Sequence, residues 1–243
     1  MISSLFHTVI YNPIYNGLVF FVDHVPYHDV GLSVIAVTII VRIILFPLSR
    51  RAVETQMAMK ALTPDIEEIK KKYKDNSQEQ SKAIFALYRE RKVKPFSGFL
   101  LILVQIPVLL GLYFVFTSGG LPAIDPSKLY GFVPIPANVN MDFLGLINMG
   151  EKSIVLAIIA FVTQFAYTRL SMGPRGAQTV TEASFSADMA RTFDLQARYM
   201  LPVMIGIFAF FIAAAAPLYW ITSNLFMIGQ EYWMGRRFNP KKD

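Results

Sequence analysis

The stretch VTIIVRIILFPLSRR, from Val37 to Arg51, decides how this chain is read. It is an apolar run with one arginine inside it. Arg42 cannot shed its proton at any ordinary pH, so the charge is permanent. Two arrangements tolerate such a residue. The side chain can bend to a polar boundary nearby, or it can face a hydrated interior within an apolar shell. Arg42 lies seven residues before Ser49, which is about 10 Å of helix at 1.5 Å per residue. An arginine can reach that far, so the run alone leaves both arrangements open.

Working outward, the rest of the chain resembles the run. Of 243 residues, 54% are hydrophobic, and the mean hydropathy is +0.43. That is too apolar for an ordinary soluble domain, and the apolar residues come in blocks. They are Gly31–Leu48, Phe96–Phe116, Ser153–Thr168 and Tyr199–Met234. A bilayer core takes roughly 20 apolar residues per helix, with about 17 as a lower limit. The third block is therefore short. The fourth has 36 residues and as one helix would be about 54 Å long, against a core of about 30 Å. It reads as two spans with a turn near AAAAPLYW, where Pro217 suits a first helical turn. The expectation is an all-α polytopic membrane protein with five transmembrane helices.

Lysine and arginine orient it. Segment 49–95 carries twelve, segment 169–198 four and the tail after Met234 four, while 1–30 carries none and 117–152 only Lys128 and Lys152. The positive-inside rule then places the N-terminus outside and the C-terminus in the cytosol. The expected divisions are an external segment 1–30, spans 31–48, 96–117, 153–169, 199–215 and 217–234, and a basic tail 235–243. Between the spans lie a cytosolic hairpin 49–95, an external loop 118–152 and a cytosolic loop 170–198. Much of the +6 net charge is thus topological, and DNA is not an expected partner.

The first 28 residues lack the positive start of a secretory signal. Their apolar stretch Ile14–Val22 is interrupted by Tyr15, Asn16 and Gly17. It is expected to form a helix on the outer membrane surface, with a shallow re-entrant segment as the alternative. In the basic segment, Leu62, Ile66, Ile69 and Tyr73 recur at helical spacing. Ser77 and Gln80 fit a capping box opening a second helix that carries Ile84, Leu87 and Tyr88 on one face. So 51–93 reads as an amphipathic helical hairpin, either a solvated connector or a docking platform for a ribosome or an incoming chain.

The chain has no cysteine, and its histidines, His7, His24 and His28, all fall near the N-terminus. Metal chemistry and thiol chemistry are therefore not expected. No Ser-His-Asp set or phosphate loop appears in the spans, so neither a cofactor nor an enzymatic reaction is expected. What remains is a set of polar stripes. Thr38 and Arg42 share a face of the first span, Ser97, Gln105 and Tyr113 one of the second, and Thr163, Gln164, Tyr167 and Thr168 one of the third. Tyr219, Thr222, Ser223, Phe226 and Gln230 line the last span. Such residues are more often hydrogen-bonding partners between helices than ligand sites. Of the seventeen acidic residues only Glu231 comes near a span, so Arg42 has no evident internal counter-ion.

Four stretches together resemble the YidC-type membrane protein insertases. GLSVIAVTIIVRIILFPLSRR is similar to the arginine-bearing first core helix of that family, and KVKPFSGFLLILVQIPVLLGLYFVF to its second. LYWITSNLFMIGQEYW is similar to its last helix, and YNPIYNGLVFFVD to its leading segment. The family usually has Pro and Gly before the last LYW, where this chain has FIAAAAPLYW, and the basic tail is short. The resemblance implies the family's bare five-helix core around a hydrophilic groove that contains Arg42 and is lined by Thr38, Ser97, Gln105, Tyr113, Thr163, Gln164, Tyr219, Trp220, Thr222, Ser223 and Asn224. It implies insertion without a chemical step. Polar, often acidic tails of nascent membrane proteins would pass through the groove while their apolar spans move into the lipid of a bacterial-type cytoplasmic membrane. The ribosome and the Sec translocon are open partners. A small transporter or channel and a purely structural assembly chaperone are the rival classes. Internal repeats or buried acids would favour the transporter, and neither is found.

Overall fold

A computed structural model describes residues 2–74, 76–93, 97–117, 120–172 and 195–236. The side chains of 97–104 lie outside that description, as do residues 173–194 and most of the basic tail. The helices are α1 Ser4–His24, α2 Val30–Ile44, α3 Phe46–Ala61, α4 Thr63–Lys72, α5 Ser77–Glu90, α6 Ser97–Thr117, α7 Ile154–Met172, α8 Gln196–Phe211 and α9 Ala215–Trp233. One antiparallel pair of two-residue strands, β1 Asp142–Phe143 and β2 Ile147–Asn148, interrupts the loop before α7. The chain divides into two compact units, residues 44–106 and the remainder.

The expectation of five spans is corrected. Among the described residues, two helices are long and apolar enough to cross a membrane, α1 and α7, or three if α2 and α3 are taken together as one span. The reasons are length and polarity. Helix α8 has 16 residues, about 24 Å against a core of about 30 Å. Of the 21 residues of α6, only Gln105–Thr117 lies wholly within the description, and that part is counted among the shorter apolar helices. Helix α9 has 19 residues, but Thr222, Ser223, Asn224, Gln230 and Glu231 dilute its apolar character.

The leading segment is corrected too. It is one long helix sunk into the core, where the sequence suggested a helix lying on the surface. Tyr11, Ile14, Tyr15, Leu18, Val19 and Val22 recur every three or four residues and are all buried, the pattern of a helix with one packed stripe. Its polar side chains fit the interior because a loop satisfies them. The Asn16 amide donates to the carbonyls of Asn12 and Lys128 (2.9 and 3.0 Å) and accepts from the Tyr130 amide (2.6 Å). The Tyr15 hydroxyl accepts from the Asp125 amide at 2.8 Å.

That loop, residues 120–153, closes one end of the larger unit. Asp29 is buried and caps α2, accepting from the Leu32 amide at 3.0 Å and from the Leu144 amide at 2.8 Å. Gly31 leaves room for the Phe143 ring, which would overlap an added Cβ. At the break between α8 and α9, the Ala214 and Ala215 amides donate to the carbonyls of Glu151 and Met149 (2.7 and 3.1 Å). Farther out, the Ser127 hydroxyl and the Lys128 ammonium hold the Asp125 carboxyl below the usual carboxylate range.

Within the smaller unit, α4 and α5 pack as a hairpin. Asn76, one residue before the expected cap, accepts from the Glu79 amide at 3.1 Å. The Gln80 side chain donates to the Lys70 carbonyl, and Asp65 faces Arg91 at 3.5 Å.

Candidate functional site

Helix α2 sorts its residues by face. Val30, Val34, Val37 and Thr38 are buried, whereas Ile39, Ile40, Ile43 and Ile44 are exposed. Arg42 follows Thr38 by one turn and is half-buried, so it shares the inward side with that hydroxyl. Thr38 itself is satisfied locally, donating to the Val34 carbonyl. Arg42 is engaged within the fold.

Helices α7 and α9 form a polar seam. Gln164, Thr168, Ser223, Asn224, Gln230 and Glu231 are all buried. The Asn224 amide donates to the Thr163 hydroxyl at 3.4 Å, and that hydroxyl donates to the Ile159 carbonyl at 2.9 Å. Gln164 donates to Thr168 at 3.2 Å. The buried Ser223 hydroxyl finds no hydrogen-bond partner among the described residues. A buried hydroxyl without a partner is costly.

At the Met172 end of α7 the seam closes on an ion pair. Glu231 is fully buried, which corrects the expectation that no acid is buried, and meets Arg236 at 3.2 Å. The same guanidinium donates to the Ser171 carbonyl at 2.6 Å and to its hydroxyl at 3.3 Å. Tyr167 hydrogen-bonds to Ser171 and feels the charges of Glu231, Arg236 and Arg42. The pairing of Glu231 with Arg236 was missed from sequence. Its one signal is a carboxylate five residues before an arginine at a helix end.

The remaining residues singled out from sequence are dispersed. Tyr219 lies in the core at 2% exposure. Trp220 is half-buried and stands edge-on to Phe208 of α8 at 6.3 Å. The Thr222 hydroxyl donates back to Leu218. Tyr113 is exposed on α6, against Phe114. Gln105 belongs to the smaller unit, and the Ser97 side chain lies outside the described residues. Among the described residues no cluster of metal-ligating side chains forms.

Comparison with known proteins places this arrangement. The family model described as 60Kd inner membrane protein matches residues 20–242. The membrane protein insertase YidC of Clostridium tetani is 28% identical over 205 residues, covering 84% of this chain and 81% of the relative. That of Oceanobacillus iheyensis is 30% identical over 217 residues, covering 87% and 77%. The Neisseria gonorrhoeae protein of the same name is 28% identical over 214 residues, but those span only 34% of its length. Matched in this way over nearly all of its residues, the chain belongs to the 60Kd inner membrane protein family, the family of the YidC insertases, and is a membrane protein.

Proposed function

We propose that this protein inserts other membrane proteins into the bilayer without a chemical step, using Arg42 to hold the polar tail of a client while its apolar segment moves into lipid. Relatives of the chain carry the name membrane protein insertase, which supports the general reading. The observation that carries the finer one is Arg42 itself. It is a permanent charge, half-buried, on the side of α2 that turns away from Ile39, Ile40, Ile43 and Ile44. An arginine at mid-membrane costs between roughly 2.5 and 17 kcal/mol, depending on the reference state. Polar or hydrated surroundings lower that cost.

The charge attracts acidic residues in a tail that must cross. Burial of the client's apolar segment in lipid then drives the tail onward, at roughly 25 cal/mol per Å² of apolar surface. The charge asymmetry of the sequence places the N-terminus outside and the basic tail in the cytosol. The clients are nascent membrane proteins with short acidic tails, delivered by a ribosome or beside a Sec channel, with the α4–α5 hairpin as a docking platform.

The test is protease protection of a single-span client in liposomes that hold the purified protein. Arg42→Lys is expected to keep most insertion, because a point charge suffices where no bidentate fork is needed. Arg42→Gln should slow acidic-tailed clients by about tenfold, the equivalent of about 1.4 kcal/mol of lost attraction. Arg42→Glu should be worst, since attraction turns to repulsion, and tails without acidic residues should change least. Equal insertion by the Arg, Gln and Glu proteins, at equal folded amounts, would remove the charge-capture mechanism.

A further inference from the structure

Helices α7 and α8 leave a groove that neither the ion pair nor Arg42 uses. It has a volume of about 550 Å³ and is lined by apolar residues alone, with Ile154, Ile158 and Phe161 on one wall and Val203, Ile207 and Phe210 on the other. The helices approach closely at one point. A Cβ on Gly206 would lie 2.9 Å from the Phe161 Cβ, so the floor there is backbone. The rims stay open, with Ile158 and Ile207 each 57% exposed.

The two ends of the groove differ. At the end where α7 begins and α8 stops, the Lys152 ammonium stands 5.8 Å from the centre of the Phe211 ring. Glu151, also exposed, precedes it in the sequence. Toward the other end the lining is hydrocarbon. An apolar trough about 12 Å long along α8 at 1.5 Å per residue, with a cation at one mouth, has the polarity of a single phospholipid.

We propose that this groove is a binding site for one phospholipid molecule, its acyl chain between α7 and α8 and its phosphate at Lys152. In a bilayer the apolar walls gain nothing from leaving water, since lipid tails surround them in any case. The gain is packing: a chain in a trough touches atoms on three sides, and an unfilled trough forfeits those contacts. Lys152 adds a charged hydrogen bond to the phosphate. Because Glu151 offsets Lys152, the mouth carries little net charge. The site therefore favours a zwitterionic headgroup over one with a net negative charge.

Native mass spectrometry of the full chain, released from nanodiscs of equal phosphatidylethanolamine and phosphatidylglycerol, tests this directly. One phosphatidylethanolamine should survive activation that strips the remaining lipid. Ile207→Trp, which fills the trough, should reduce the retained fraction by about tenfold. Lys152→Ala should reduce it less, and Ile159→Trp, on the exposed side of α7 outside the groove lining, should leave it unchanged. Thermal unfolding of each variant identifies any that misfold, and Ile158→Phe then serves as the milder filler. Retention undiminished by filling the groove, preferential retention of phosphatidylglycerol, or a second copy of the chain seated there in place of lipid would overturn the proposal.

Discussion

Helix α7 meets two neighbours with opposite chemistry. Toward α9 it presents Gln164 and Thr168, buried, with Thr163 bonded to Asn224. Toward α8 it presents Ile154, Ile158 and Phe161 to Val203, Ile207 and Phe210. The polar seam is fixed by donors and acceptors that must find each other. The apolar one is fixed by shape, through the absence of a Cβ at Gly206. In lipid the first arrangement specifies which faces meet, while the second allows close approach without specifying much else. The first seam offers donors and acceptors, the second only apolar surface.

The comparison breaks most severely at Glu231 and Arg236. Glu231 is fully buried and Arg236 nearly so. Removing one member leaves the other charge buried and uncompensated, at a cost of about 3–5 kcal/mol. Arg236→Ala should therefore lower the thermal unfolding midpoint in detergent more than any single change on the apolar seam. Replacing both with methionine should recover most of the loss, because a buried pair exchanged for apolar groups is often neutral. If the double variant is no better than Arg236→Ala, the pair is not what holds this end of the seam.

The apolar seam should break at Gly206, by a smaller amount. A side chain there must displace Phe161, and overpacking a fitted contact costs about 1–3 kcal/mol. Gly206→Val should separate α8 from α7 and lower the unfolding midpoint. Gly229, with open space around its added Cβ, provides the control: Gly229→Ala should be harmless or slightly stabilising, as expected for alanine in a helix. An unchanged midpoint in Gly206→Val would show that close approach does not govern position 206.

The two seams were unequally legible in the sequence. Thr163, Gln164 and Thr168 stand out because a polar side chain at helical spacing in an apolar run is visible without coordinates. Gly206 looks like any glycine until Phe161 is placed against it. The span count failed for a related reason. The sequence divides 199–234 near AAAAPLYW, close to where the backbone breaks after Phe211, but the helix before the break is short and the polar stripe of α9 lowers its apolar character. The leading helix was misjudged because Tyr15, Asn16 and Asp29 look like surface residues. Their partners, Asp125, Lys128, Tyr130 and Leu144, lie more than 100 residues away, and no local pattern announces them. Arg42 was legible as an anomaly, but its neighbour Tyr167 was only one member of a stripe.

The finest distinction between the seams lies at Thr163 and Asn224. Their hydrogen bond is long, 3.4 Å, and the Thr163 hydroxyl is already satisfied by the Ile159 carbonyl. Bonds of this kind between membrane helices average about 0.6 kcal/mol in double-mutant cycles. The expected coupling is therefore at or below that figure, far less than the ion pair provides at the end of the same seam. A cycle of Thr163→Val, Asn224→Leu and the double variant, read by unfolding in detergent, measures it. Coupling near zero would mean that Asn224 is held mainly by packing and that its amide is spared for a passing polar tail. Coupling above about 1.7 kcal/mol, the upper end for such pairs, would make the bond structural. It would then exclude Thr163 and Asn224 from the client's path and leave Arg42 to act with Thr38 and Tyr167.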